Sequence, residues 1–213
     1  MSLAGAFLAF LFTAAGATAQ AACERPPAVT ANERGLAQMV GGDLAKALAS
    51  FGEALKLDAT LEQARLNRGI ALLRNGQTAK AIVDLETLAN DEHSLVRGDA
   101  AYHLAIALDR LGRAAEAEIW LDRAVKLDNE LDAAVLYAGM LRERRGDLQG
   151  AGRAYLEYLK KHPDSIVALL RFGVSAQKSG SIDTAKSYLQ RVIALAPRSS
   201  EAVEARKYLV MWE

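Results

Sequence analysis

The chain has 213 residues, and its 26 lysines and arginines balance 26 aspartates and glutamates. A net charge of zero gives no general attraction to nucleic acid or to an anionic membrane, so nucleic-acid binding is not predicted. Alanine and leucine dominate and only four prolines occur, which favours helices. The single cysteine, Cys23, excludes an internal disulfide.

Residues 1–22 lack Lys, Arg, Asp and Glu, but their apolar stretch is shorter than the roughly 20 residues that span a bilayer. Small residues follow this stretch, and Ala17, Ala19 and Ala21 supply the spacing of a signal peptidase site. The combination predicts a signal peptide over residues 1–22 and a periplasmic or secreted protein.

Cys23 lies where a bacterial lipoprotein carries its lipidated cysteine, although Gln20 replaces the leucine that is usual in that motif. Three outcomes stay open: plain cleavage, lipidation of Cys23 with residence at the outer membrane, and retention of the segment as an anchor. Contact with a membrane is expected through this segment alone. Residues 23–29 come next, and Pro26-Pro27 predicts a short extended linker there.

A repeat begins near residue 30. Turn glycines recur at intervals of 34, 36, 34 and 34 residues: Gly42, Gly76, Gly112, Gly146 and Gly180. Nine residues after each comes a large side chain: Phe51, Leu85, Leu121, Tyr155 and Leu189. Seven residues before each comes a small one: Gly35, Gly69, Ala105, Gly139 and Gly173. Small residues let two helix backbones approach each other, and large ones fill the space between neighbouring helix pairs.

This pattern resembles the tetratricopeptide repeat (TPR), whose period is about 34 residues. The resemblance implies an all-α fold, a right-handed solenoid of five helix–turn–helix repeats over residues 30–199. The units are expected at about residues 28–61, 62–97, 98–131, 132–165 and 166–199. The chain departs from the family where Arg34 and Arg68 replace the usual leucine of the first helix, and we expect Arg34 at an exposed edge.

Residues 200–213 predict one further helix, which Ser199, Ser200 and Glu201 can cap at its start. Lys207 occupies the place of the small repeat residue, so this helix is not a sixth repeat. Its apolar face predicts a capping helix that covers the fifth repeat; that face consists of Ala202, Ala205, Leu209 and Trp212. The alternatives are an exposed hook for a partner and self-association through Leu209, Val210 and Trp212.

The sequence contains no pattern that indicates an active site. His93, His103 and His162 are scattered without metal-ligand spacing, and the glycine patterns of nucleotide-binding loops and nucleophile elbows do not occur. We therefore predict no catalytic residue, no metal, no cofactor and no enzymatic activity. Repeats that carry a hidden catalytic site remain the alternative.

In the TPR family, ligands contact first-helix positions that face a concave groove. Transferred to this chain, the candidate partner-binding residues are Asn67, Arg74, Tyr102, Ile106, Arg110, Tyr137, Met140, Arg144, Arg171 and Lys178. Four cations recur at one repeat position and predict a basic stripe: Arg74, Arg110, Arg144 and Lys178. Such cations can pair with a carboxylate of a bound peptide, or merely favour the dipole at a helix C-terminus.

The middle of the groove is expected to contain Tyr102, Ile106, Tyr137 and Met140. Such side chains suit an apolar side chain of a partner. Packing between repeats is the alternative interpretation of the same residues. Asn67 matches one asparagine of the clamp by which some TPR domains hold C-terminal carboxylates. Asn32 and Leu36 stand where that clamp has Lys and Asn, so chaperone-tail binding is not predicted.

Bacterial envelope TPR proteins resemble this layout of signal, five repeats and cap. The resemblance implies a non-enzymatic scaffold that binds a peptide segment of another protein in its groove, within an envelope assembly. A lipid-anchored outer-membrane protein for pilus or secretion assembly is the alternative. Because the groove face of the last repeat carries Arg171 and Lys178 and no acid, the acidic end of a bound segment is expected there.

Overall fold

The computed structural model describes residues 25–211, so the predicted signal peptide, Cys23 and Trp212 lie outside the described residues. Within that range the chain forms eleven α-helices: α1 (Pro27–Val40), α2 (Leu44–Leu57), α3 (Glu62–Arg74), α4 (Thr78–Ala89), α5 (Arg97–Arg110), α6 (Ala114–Leu127), α7 (Asp132–Arg144), α8 (Leu148–Lys161), α9 (Ile166–Lys178), α10 (Ile182–Leu195) and α11 (Ser200–Val210). Each helix packs mainly on its neighbours in sequence. The predicted all-α solenoid of five helical hairpins with a final capping helix is confirmed.

The turn between the two helices of each hairpin depends on its glycine. The five turn glycines have φ between 75° and 86°, a left-handed conformation that side chains with a Cβ disfavour. At the first turn, the amide of Asp43 donates to the carbonyl of Gln38 at 2.9 Å, which satisfies a carbonyl left open at the helix end. The second helix of the hairpin starts directly afterwards.

The small residues of the first helices lie against the large residues of the second helices. A Cβ added to Gly35 would lie 2.5 Å from the Phe51 ring, and one added to Gly139 would lie 2.7 Å from the Tyr155 ring. Both rings are fully buried. The two helices of a hairpin therefore approach as closely as the sequence spacing predicts.

The core extends along the solenoid in two large clusters. One runs from Leu66 in α3 to Leu141 in α7, and the other joins α8, α9 and α10 to Ala202 and Ala205 of α11. Those two alanines are fully buried, whereas Val203 on the same helix is 49% exposed. The capping helix thus covers the fifth hairpin with one face, as repeat arrays require.

The first hairpin contributes only two small clusters, one around Ala31, Ala54 and Ala64 and one around Phe51. Arg34 lies at its exposed edge as expected, where its Nε donates to Ser50 Oγ at 3.1 Å. None of the helices within residues 25–211 is long and apolar enough to cross a membrane.

The prediction of an extended linker over residues 23–29 is wrong at its end, because α1 already begins at Pro27. Proline suits the first turn of a helix, since its fixed φ is close to helical and the missing amide would have no partner there. Pro26 before it is extended, with φ of −52° and ψ of 135°. Ala28, which follows, is buried.

Candidate functional site: the face formed by the first helices

The candidate residues lie on the surface formed by the first helices α1, α3, α5, α7 and α9, which we call the first-helix face. Side chains bridge successive first helices across this face. In the N-terminal part, the Asn67 amide donates to Asn32 Oδ1 at 3.0 Å, and Gln63 donates to Asn67 Oδ1 at 3.3 Å. Asn67 is only 4% exposed. In this structure its side chain therefore joins α3 to α1 and is not presented to a partner.

The central patch consists of Tyr102, Ile106, Tyr137 and Met140. All four are half-buried, and each packs on the core with part of its surface. The rings of Tyr102 and Tyr137 meet edge to face with their centroids 6.3 Å apart, an arrangement favoured by the ring quadrupoles. The four residues therefore pack between repeats and still leave part of their surface accessible.

The Tyr137 hydroxyl is fixed by a carboxylate that is not among the predicted site residues. It donates to Asp109 Oδ2 at 2.6 Å. Burial, reinforced by this hydrogen bond and the Asp109 charge, raises the pKa of Tyr137 to about 12. Burial also raises the pKa of Tyr102. Both rings of the patch are thus neutral at physiological pH.

Three of the four cations of the predicted basic stripe are bound within the chain. We call its members, Arg74, Arg110, Arg144 and Lys178, the cation series. Each of the last three reaches back to the preceding first helix: Arg110 donates to the Leu73 carbonyl at 2.5 Å, Arg144 pairs with Asp109, and Lys178 donates to Glu143 at 3.2 Å. The acceptor in every case is the residue just before that helix's own cation. A repeating acid–cation dipeptide, Asp109-Arg110 and Glu143-Arg144, is the sequence signal that was missed.

Glu143 is the most enclosed carboxylate of the face, with a side chain 7% exposed. It accepts from the Tyr155 hydroxyl at 2.8 Å and from Lys178, and Arg171 Nη1 lies 3.8 Å away. Burial and then Glu143 raise the pKa of Tyr155. Arg171 and Lys178, predicted to receive the acidic end of a ligand, therefore already face a carboxylate of the chain itself.

Arg74 differs from the other members of the cation series. It is exposed, and among residues 25–211 it has no hydrogen bond or ion pair. The position that supplies a carboxylate in the third and fourth hairpins is Met39 in α1. Half-buried His103 lies close enough for the Arg74 charge to act on it: burial, aided by that charge, lowers the pKa of His103 to about 4. His103 is accordingly neutral at physiological pH.

The arrangement offers apolar contact area bordered by cations, which is chemistry for binding. Within residues 25–211, no three His, Cys, Asp or Glu side chains converge as they do around a metal ion. Of the ten predicted residues, the five cations are exposed, the four residues of the central patch are half-buried, and Asn67 alone is buried.

Comparison with known proteins places these features in context. The chain is 23% identical over 188 residues to the lipopolysaccharide assembly protein B of Escherichia coli (strain K12), a match over 84% of this chain and 48% of that protein. The chain thus spans about half the length of the curated relatives it matches.

Two solved structures share the fold. One is YrrB, described as a TPR protein with an unusual peptide-binding site, with a TM-score of 0.66, 24% identity, and coverage of 84% of this chain and 92% of that one. The other is PilW, described as a widely conserved type IV pilus biogenesis factor, with a TM-score of 0.62, 18% identity, and coverage of 87% of this chain and 100% of that one.

Two family models, both described as tetratricopeptide repeat, match the sequence itself. One matches residues 32–94 and 85–132, and the other matches residues 133–165 and 167–199. Together they extend over nearly all of the five hairpins that the structure shows. The chain belongs to the tetratricopeptide repeat family.

Proposed function

We propose that the protein is a scaffold that binds a peptide segment of a partner protein on its first-helix face, as part of an assembly in a bacterial envelope. The proposed work is binding and involves no catalytic step by this chain.

The central patch carries this proposal. Tyr102, Ile106, Tyr137 and Met140 retain accessible surface on a face whose backbone is fixed by the stacked hairpins. Aromatic and Met side chains give large, adaptable contact area for an apolar anchor. The stacking itself keeps the site preformed, because each hairpin is held by its neighbours.

The matched proteins support the class of work. YrrB is described as having a peptide-binding site, PilW as a pilus biogenesis factor, and the E. coli relative as a lipopolysaccharide assembly protein. The envelope location rests on residues 1–22, whose apolar stretch and small residues favour a signal peptide.

Site-specific photo-crosslinking in cells tests the binding face. A photoreactive residue at Met140, in the central patch, should capture a partner protein, whereas one at Val83 on α4 should not, although Val83 is 65% exposed. Capture from Val83 and none from Met140 would place the partner on the second helices and reject the proposal.

A second candidate form of the protein is lipid-anchored at the outer membrane, because Cys23 directly follows the predicted cleavage region. A Cys23→Ser variant should then move from the membrane fraction to the soluble periplasmic fraction. If the variant and the unaltered protein fractionate alike, the lipid anchor is rejected, and the binding proposal is unaffected.

A further inference from the structure

Some cations of the first-helix face have a partner within the chain and others do not. This difference indicates which charge a bound segment carries. At the groove positions of the repeats there are five cations, Arg74, Arg110, Arg144, Arg171 and Lys178, against three carboxylates, Asp99, Asp109 and Glu143. The face thus has an excess of two positive charges, while the whole chain has a net charge of zero. A segment with acidic character is complementary to it.

Two of the three carboxylates pair with cations of the fourth and fifth hairpins. Arg144 is neutralised by Asp109, and Lys178 and Arg171 share Glu143. Arg110 is held by the Leu73 carbonyl, a partial negative charge at the end of α3. Arg74 alone of the cation series has neither a carboxylate nor a carbonyl among residues 25–211.

The residue of α1 at the carboxylate position is apolar, which leaves Arg74 without an ion pair. In the fourth and fifth hairpins the cation receives its carboxylate from the previous first helix, from Asp109 and Glu143. The corresponding residue for Arg74 is Met39, which is half-buried and apolar. The ion pairs of the cation series therefore end at Arg144. Of the two cations without a carboxylate, Arg110 is held by a carbonyl, whereas Arg74 has no partner among residues 25–211.

Arg74 also adjoins the central patch. His103, which responds to the Arg74 charge, lies beside Tyr102 with the ring centroids 5.0 Å apart. Tyr102 is half-buried and leaves part of its ring accessible, so a segment that pairs with Arg74 can also contact the central patch.

Building on the proposed function, we infer that the segment bound on the first-helix face places a carboxylate on Arg74 and an adjacent apolar side chain on the Tyr102–Tyr137 pair. The acidic part of the segment thus lies at the second hairpin, toward the N-terminal end of the solenoid, and not at the fifth hairpin. The carboxylate comes either from an Asp or Glu side chain or from the end of a chain, and these sources share one chemistry.

The test is affinity selection of a synthetic library of short random peptides with free carboxyl ends on the purified full chain. The variants are Arg74→Gln, Arg74→Glu and, as a matched control, Arg153→Gln. Arg153 is exposed on α8 and has no ion pair among residues 25–211. A photoreactive residue at position 140 reports whether each selected peptide lies on the first-helix face.

We expect the unaltered chain and Arg153→Gln to select peptides in which an acid stands at a fixed distance from an apolar residue. Arg74→Gln should weaken these peptides about fivefold, as loss of a mostly exposed ion pair does. Arg74→Glu should select Lys or Arg at the same place. Changing the peptide's Glu to Gln, or amidating its end, distinguishes the two sources of the carboxylate.

A second readout is the titration of His103 by NMR. A bound carboxylate offsets the Arg74 charge, so the pKa of His103 should rise from about 4 when an acidic peptide is added. Peptides that crosslink from residue 140 without preference for acids, or that bind Arg74→Gln unchanged, would overturn this inference and leave the proposed function standing. If no selected peptide crosslinks from residue 140, the binding face itself is wrong and both proposals fall.

Discussion

Arg68 and Asp84 form a two-pronged ion pair inside the second hairpin. Arg68 Nε and Nη2 each donate to a different oxygen of Asp84 at 2.7 Å, and Asp84 is only 4% exposed. The same two repeat positions hold Arg34 and Ser50, Leu104 and Trp120, Ala138 and Ala154, and Phe172 and Tyr188 in the other hairpins. Partners match in polarity each time, so the arginine that departs from the family pattern is compensated on the facing helix.

Removing either member of this pair should destabilise the protein strongly. Arg68→Leu leaves the Asp84 carboxylate nearly buried, with only Arg65 Nη1 at 4.0 Å, and should lower the free energy of unfolding by about 3 kcal/mol. Asp84→Ala should lower it by about 2 kcal/mol. The double variant should lose less than the sum, which urea unfolding measures as a coupling of about 2 kcal/mol.

The control is the exposed pair Arg113 and Glu116, which also has two hydrogen bonds, at 2.7 and 2.6 Å. Because solvent screens both side chains, its coupling should be much smaller than that of the Arg68–Asp84 pair. Equal coupling for the two pairs would contradict a role for burial in the Arg68–Asp84 pair.

Gly139→Ala should destabilise the protein more than Gly69→Ala. The added Cβ at Gly139 meets the Tyr155 ring at 2.7 Å, and that ring is held by its hydroxyl bond to Glu143. At Gly69 it meets Leu85 at 2.9 Å, and the third hairpin already places Ala105 and Leu121 at these positions. Thermal or urea unfolding should show losses of about 2–3 kcal/mol and about 1 kcal/mol respectively.

Gly52→Ala is the matched control for these two changes. Gly52 lies within α2, and a Cβ there meets nothing within 4 Å. Alanine should stabilise the helix by about 0.5–1 kcal/mol, because it restricts the unfolded chain. A loss of stability at Gly52 would show that contact with the facing helix does not explain the other results.

Stability should fall in mild acid because of His103. Burial lowers its pKa to about 4 from the ordinary 6.5, so between these values the unfolded chain binds a proton that the folded chain does not. The contribution of neutral His103 to the free energy of unfolding is therefore complete above about pH 6.5. It declines as the pH falls to about 4, by at most about 3 kcal/mol. Urea unfolding of His103→Gln should show less acid sensitivity, whereas exposed His93→Gln should match the unaltered protein.

The pKa of Tyr137 should depend on the charge of Asp109. Burial is the main cause of its raised pKa of about 12, and the Asp109 bond adds to it. Asp109→Asn should therefore move this pKa part of the way back toward 10, as followed by phenolate absorbance with Tyr137→Phe to assign the signal. Between about pH 10 and 12 the unfolded chain releases the Tyr137 proton while the folded chain keeps it, so the free energy of unfolding falls as the pH rises. This fall should be smaller in Asp109→Asn.

The period and hairpins of this fold could be predicted from the sequence because the signals are local. A glycine with positive φ, such as Gly76, marks a turn wherever it recurs, and Gly69 against Leu85 follows from helical spacing alone. The start of α1 was missed because Pro26-Pro27 suggests an extended chain, whereas Pro27 suits a helical first turn equally well.

The state of the candidate site could not be read in the same way. Arg144 and Asp109 are 35 residues apart, as are Lys178 and Glu143, so their pairing depends on how successive first helices stack. Cations that looked alike in the sequence thus divide into paired ones and Arg74. The pairing of Asn67 with Asn32 likewise depends on the stacking of α1 and α3, so the sequence alone does not show that Asn67 is engaged within the chain.

The small clusters of the first hairpin predict where local unfolding of the solenoid begins. The clusters around Ala31 and Phe51 hold few buried apolar residues, while α5 and α6 share the long cluster from Leu66 to Leu141. Since each hairpin is held chiefly by its neighbours, opening should begin at α1 and α2. Their amides should exchange with deuterated solvent before those of α5, and a partner docked beside Arg74 should slow that exchange by closing over the end that frays first.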